Sequence, residues 1–159
     1  MTTGHNIAMG LRAAYLSMHR QTNSYLAPHN ITADQFVLMA LLSEQDRISQ
    51  QQLARRANSD PNTIRAMLVL LENQGLVRRQ PNPLDGRAYS IILTHTGRQT
   101  YTKLSEQIHT LQNQLLNLFQ LNEAETLIEF LDRISEAMTH SENHLGRPQS
   151  GTSDIKSKC

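Results

Sequence analysis

The sequence lacks the residues on which several protein classes depend. Tryptophan is absent and aromatic residues make up 4% of the 159, too few for a base-stacking surface that grips single-stranded nucleic acid. The one cysteine is Cys159, the last residue. It excludes an internal disulfide framework, makes a cytoplasmic address the default, and has no neighbouring base or helix start to activate its thiol. No apolar run approaches the roughly 18 residues of a membrane span. The opening MTTGHNIAMGLRAAY does not have the basic-then-apolar order of a secretory signal. Catalytic patterns are missing as well: no phosphate-cradling glycine motif, no Ser–His–Asp spacing, no paired carboxylates in a glycine-rich loop. Neither an enzyme nor a cofactor is expected.

What is present is one domain's worth of chain with a lopsided charge. The net charge is only +1. Residues 47–98, however, carry eight arginines against three acids, net +5, and no lysine. Residues 31–46 and 99–159 are each net −3. Arginine's planar fork suits phosphates and base edges better than the point charge of lysine.

Apolar periodicity predicts a chain of helices interrupted once. A first helix over 5–27 carries Ile7, Leu11, Ala14, Tyr15, Met18 and Leu26 at helical spacings, stops at Pro28, and calls for a partner surface. Thr32 with Gln35, then Ser49 with Gln52, read as two capping boxes that open the second and third helices, with Ile31 stapled onto Phe36. The run Phe36–Leu42 is apolar all round, so the second helix is expected to be wholly buried. Asp60 and Pro61 open a fourth helix that runs to Gln74 with Ile64, Met67, Leu68 and Leu71 inward, and Gly75 ends it. Residues 76–80 and 88–93 read as the strands of a hairpin around a loop, 81–86, that closes on Asp85-Gly86. Thr94 or Thr96 opens a long helix to about Phe119, with a heptad-like seam of Leu104, Ile108, Leu111, Leu115 and Leu118. Asn122 caps a last helix with Leu127, Phe130, Leu131, Ile134 and Met138 inward, and 145–159 reads as a disordered tail.

Two short helices joined by a tight turn, followed by a hairpin, make a winged helix-turn-helix. The expected fold is therefore mainly α with a small β-hairpin wing, flanked by N- and C-terminal dimerisation helices. Asn62, Thr63 and Arg65 sit at the start of the fourth helix, where short polar side chains and an arginine reach base edges and phosphates of a major groove, with Ala66 available to a thymine methyl. An arginine held at the tip of the hairpin, Arg87, suits the narrow minor groove, and Asp85 is placed to orient its guanidinium. Gln50 and Arg78 complete the candidate DNA contacts. Three apolar helices outside a unit of about 65 residues favour a homodimer reading a pseudo-palindrome.

The stretches ITADQFVLMALLS, QQLARRANSDPNTIRAMLVLLENQGLVRR and DGRAYSIILTHTGRQ resemble the MarR family of transcription regulators, over roughly residues 5–143. The resemblance implies a wing built on Asp85-x-Arg87, a recognition helix over Pro61–Gln74, and a homodimer made by the first and last two helices. The implied organisation is 1–30 for dimerisation, 31–97 for DNA, 98–144 for dimerisation and 145–159 as tail. It also implies a small effector, aromatic or anionic, for which Arg12, Tyr15, His19 and Met39 are the candidate residues. Glu136, His140 and His144 share a helix face at metal-ligand spacing, but histidines also suit a solvated helix C-terminus, and no metal is expected. The rival functions are a winged helix that binds protein, favoured by the apolar run Ala66–Leu71, and a metal-responsive regulator.

Overall fold

The computed structural model describes residues 1–45 and 47–145, without the side chains of 85–88 and 140–145. The expected tail, apart from Leu145, and the side chains of His140 and His144 lie outside the described residues. The order is α1 (Thr3–Leu26), a 3-10 turn (Ala27–His29), α2 (Ala33–Glu44), β1 (Ile48–Ser49), α3 (Gln50–Arg56), α4 (Pro61–Asn73), β2 (Val77–Asn82), β3 (Asp85–Leu93), α5 (His95–Leu116) and α6 (Leu121–Leu145). The chain divides into two compact units, Met1–Asn113 and the part from Gln114 onward.

Local hydrogen bonds set the helix starts in the first unit. Both capping boxes form: Thr32 with Gln35 opens α2, and Ser49 with Gln52 opens α3. Asp60 caps α4 through the backbone N–H groups of Asn62 and Thr63. Asn58, at φ 49°, turns the chain between α3 and α4. Asparagine tolerates this left-handed region better than most residues. Gly75, at φ 71°, ends α4 in the same region.

The core of this unit gathers fully buried Leu26, Leu38, Met39, Leu42, Ile48, Leu53, Ile64, Leu68, Leu71, Ile91 and Leu104. Phe36 stacks on Tyr101 of α5 with ring centroids 5.4 Å apart. α2 is thus central, but Val37 stays 45% exposed, so one edge of the helix escapes burial. Leu104 and Ile108 belong to this core, so the first half of the expected α5 seam packs within the winged unit.

The sheet is three-stranded and antiparallel, ordered β1-β3-β2. β1 was not visible in the sequence. It is two residues long, pairing Ile48 with Ile91 and Ser49 with Ser90, too short to carry a periodic pattern. Thr94 joins the hairpin to α5: its hydroxyl donates to the carbonyl of Gly75 and accepts from the N–H of Gly97. Gly97 lies against the Leu76 backbone, where a Cβ would overlap the carbonyl oxygen.

In the second unit, α6 begins after Gln120, whose backbone N–H donates to Glu123. Gln120, not the expected Asn122, holds the cap position, because a glutamate three residues on reaches back to it. Of the expected inward stripe of α6, Leu127, Phe130, Leu131 and Met138 are exposed and Ile134 is half-buried.

Candidate nucleic-acid interface

α4 presents one face to the core and the opposite face to solvent. Ile64, Leu68 and Leu71 are fully buried, and Met67 is partly buried. At 100° per residue, the centre of the opposite face runs along Asn62, Ala66, Val69 and Asn73, all exposed. Arg65 and Thr63 form its two shoulders. The run Ala66–Leu71 is therefore split by the helix: Leu68 and Leu71 go in, while Val69 and Leu70 remain 42% and 52% exposed.

Several candidate contacts are already engaged within the chain. Gln50, at the start of α3, donates Nε2 to the carbonyl of Pro61, 3.2 Å away, and ties the openings of α3 and α4 together. The Thr63 hydroxyl donates to Asp60, which leaves it only its acceptor side and its methyl group for a partner. The same hydroxyl, with the backbone N–H groups of Thr63 and Asn62, holds the Asp60 carboxyl below its usual range by bonding to the charged form.

The hairpin differs from its expected geometry. β2 continues through Pro81 to Asn82, and Pro83-Leu84 make the turn. The Leu84 N–H donates to the Asn82 side chain at 3.0 Å, an Asx-type closure that displaces Asp85-Gly86 from the turn into β3. The outermost described side chain is Leu84, 96% exposed. Pro81 pairs with Tyr89 and Asn82 with Asp85, so 86–88 lie between two consecutive pairs with no residue opposite. Arg87 sits on this bulge and not at the tip. The side chains of Asp85 and Arg87, and hence their expected ion pair, lie outside the described residues. On β2, Arg78 is exposed while its neighbour Arg79 turns toward Glu72, Nε to Oε2 3.3 Å, without hydrogen-bond alignment. Arg56 is paired with Glu44 at 2.6 Å and with Gln45. The arginine-rich stretch thus has at least two of its charges neutralised locally.

A cleft of about 230 Å³ opens beside α4, lined by Tyr15, Asp34, Val37, Leu38, Asn58, Thr63 and Met67 among others. Of the four candidate effector residues, only Tyr15 lines it. Met39 is fully buried in the core, in the same cluster as Leu42, Leu53 and Ile64. Arg12 is exposed on α1 and outside the lining. His19 is committed elsewhere. The Ala33 N–H donates to Asn23 Oδ1 at 2.7 Å, which orients that amide so that Nδ2 donates to His19 Nδ1 at 3.1 Å. His19 Nε2 then carries the ring proton and donates to Asp34 at 3.2 Å. Asn23, the hinge of this network, was missed because nothing in its sequence context marks it. Among the described residues, no three His, Cys, Asp or Glu side chains are grouped to hold a metal ion.

Residues 31–89 match the family model described as MarR family. Two solved structures share the fold. The transcriptional regulator BldR from Sulfolobus solfataricus is 26% identical, with TM-score 0.76, over 86% of this chain and 99% of that one. A mutant MarR from E. coli complexed with operator DNA is 25% identical, with TM-score 0.75, over 81% and 93%. The winged region of the chain is that of the MarR family. A curated relative, the HTH-type transcriptional regulator TtmR of Methylorubrum extorquens (strain PA1), is 34% identical over 101 residues, 62% of this chain. The match spans about half of that relative's length, 52%. The chain is a winged helix-turn-helix protein. No helix among the described residues is long and apolar enough to cross a membrane.

Proposed function

We propose that the chain is a homodimeric, sequence-specific transcription regulator of duplex DNA, a ligand-responsive repressor acting in the cytoplasm on a pseudo-palindromic operator. The observation that carries this reading is the outward face of α4, bearing Asn62 and Arg65, in the same compact unit as an arginine-bearing hairpin. The E. coli MarR complexed with operator DNA, which shares this fold, lends it support. In this reading 31–97 meets the duplex. Asn62, Thr63 and Arg65 enter the major groove, Gln50 and Arg78 lie toward the phosphates, and Arg87, with Asp85, reaches the minor groove. Residues 1–30 and 98–144 would join two copies, which puts two recognition helices about one helical turn apart. Exposed Ile7, Met9 and Met18 on α1 and the apolar stripe of α6 support that pairing.

A gel shift on the DNA flanking the chain's own coding region tests the proposal. Specific binding that weakens steeply between low and high salt is expected. Arg87→Ala should weaken it by about tenfold or more, the loss of a charge-assisted contact, with unchanged folding by circular dichroism. An unchanged affinity would remove the wing assignment. Exposed Val69 and Leu70 favour the rival reading, a protein-binding winged helix, and salt-insensitive binding to a protein with none to DNA would establish it.

The effector part of the proposal narrows with the cleft. Tyr15, Val37, Leu38 and Met67 offer an aromatic and aliphatic lining, and Asp34 is the charged group among the lining residues. A carboxylate ligand would meet that like charge, so a neutral or cationic small aromatic fits better than an anionic one. Tyr15→Ala with Met67→Ala should abolish release of DNA by such a ligand while leaving DNA affinity in its absence intact. Retained release would remove the cleft from the mechanism.

A further inference from the structure

We infer that Ala66 and Val69 on α4 read the 5-methyl groups of thymines, and that Asn62 and Asn73 read adenines on either side of them. This rests on α4 being the helix that enters the major groove. The centre line of its outward face is amide, small apolar, apolar, amide: Asn62, Ala66, Val69, Asn73, all exposed. The one cation of the helix, Arg65, stands on a shoulder of that face.

A solitary exposed valine is ordinary on any protein surface. Its placement is what carries the inference. Val69 lies at the middle of the only side of α4 that the core leaves free, in line with the polar residues at its start. The major-groove edge of a base pair offers a single apolar group, the thymine methyl, and adenine's N6 and N7 match an asparagine amide in a two-bond fork. Over guanine or cytosine, Ala66 and Val69 would strip water from hydrogen-bonding groups and return nothing, a cost that discriminates against those bases. The face thus selects thymine by contact and rejects the alternatives by desolvation. Its length fits: residues 62 to 73 span about 16 Å at 1.5 Å per residue, close to five base steps of 3.4 Å.

The test starts from the full chain and a random-sequence duplex library. Duplexes recovered by binding should carry thymines at the centre of each half-site. The recovered duplex is then made with deoxyuridine in place of those thymines, which deletes only the methyl groups. Affinity at fixed salt should fall by about fourfold for each methyl buried, with the salt slope unchanged. Val69→Ser should lose affinity for the thymine duplex and show a reduced difference between the two duplexes. Equal binding of both duplexes by the unaltered chain, or recovered half-sites without thymine, would overturn the inference and leave DNA binding standing. Failure to recover any duplex would overturn both. If Val69→Ser shifts sedimentation and leaves the discrimination untouched, the face is a protein contact and the inference falls.

Discussion

Asp60 shows how a single side chain serves folding and placement together. Its carboxylate accepts from two backbone N–H groups at the start of α4 and from the Thr63 hydroxyl, so the charged form is favoured and its pKa is lowered. A group whose folded value lies below its unfolded value adds stability above the unfolded value, and that stability is lost as pH falls through the folded value. The usual value here is 3.8. Asp60→Ala should therefore melt at a lower temperature than the unaltered chain at pH 7, and the gap should close below about pH 4. Thermal melts at pH 7 and pH 3 check this, and a gap that persists unchanged into acid would deny the carboxylate its role. His19 is the counter-example at this scale. Its spacing from Tyr15 suggests a ligand group, yet Asn23 and Asp34 occupy both ring nitrogens. Those partners come from four and fifteen residues away, and the more distant one is beyond any local pattern.

Among elements, the junction of α4, β2 and α5 is held by the fewest substitutable parts. The Leu-Thr-x-x-Gly sequence at 93–97 is a packing device. Thr94 bonds to the carbonyl of Gly75 and caps α5, and Gly97 lets the first turn of α5 sit on the Leu76 backbone. Gly97→Ala should cost about 1–3 kcal/mol or more, because the obstruction is main chain and cannot swing aside. Urea unfolding would measure it, and a neutral result would show that α5 can move off the hairpin freely. The helices were legible because their starts are written in residues three apart, as in Thr32 with Gln35 and Ser49 with Gln52. The wing tip was not. Asp85-Gly86 is a strong turn pair in isolation, but the Asn82 side chain and Pro83 close the turn one step earlier.

For the molecule as a whole, the exposed apolar residues of α1 and α6 need an occupant. Exposed Leu127, Phe130 and Leu131 lie along α6 at helical spacing, a pattern suited to a second copy with the same face. In the proposed homodimer, Phe130→Asp should shift the chain from dimer to monomer in sedimentation and weaken DNA binding, because two half-sites then bind independently. Retention of the dimer would place the interface elsewhere. The charge of the whole molecule matters in the same way. With Arg56 and Arg79 paired internally, fewer than the eight arginines of 47–98 are left to set the salt slope.

The starts of α2, α3 and α4, the left-handed stop at Gly75 and the family resemblance over the winged unit were determined by sequence alone. Each depends on hydrogen bonds or steric limits among residues a few positions apart. Burial was decided only by tertiary structure. It placed Met39 and Leu104 in the core of the first unit, Val37 and Val69 outside, and Ile48 in a strand with Ile91. Each of these outcomes turns on contacts between distant parts of the chain, and an apolar side chain is the same in sequence whether it meets the core, a partner or a thymine.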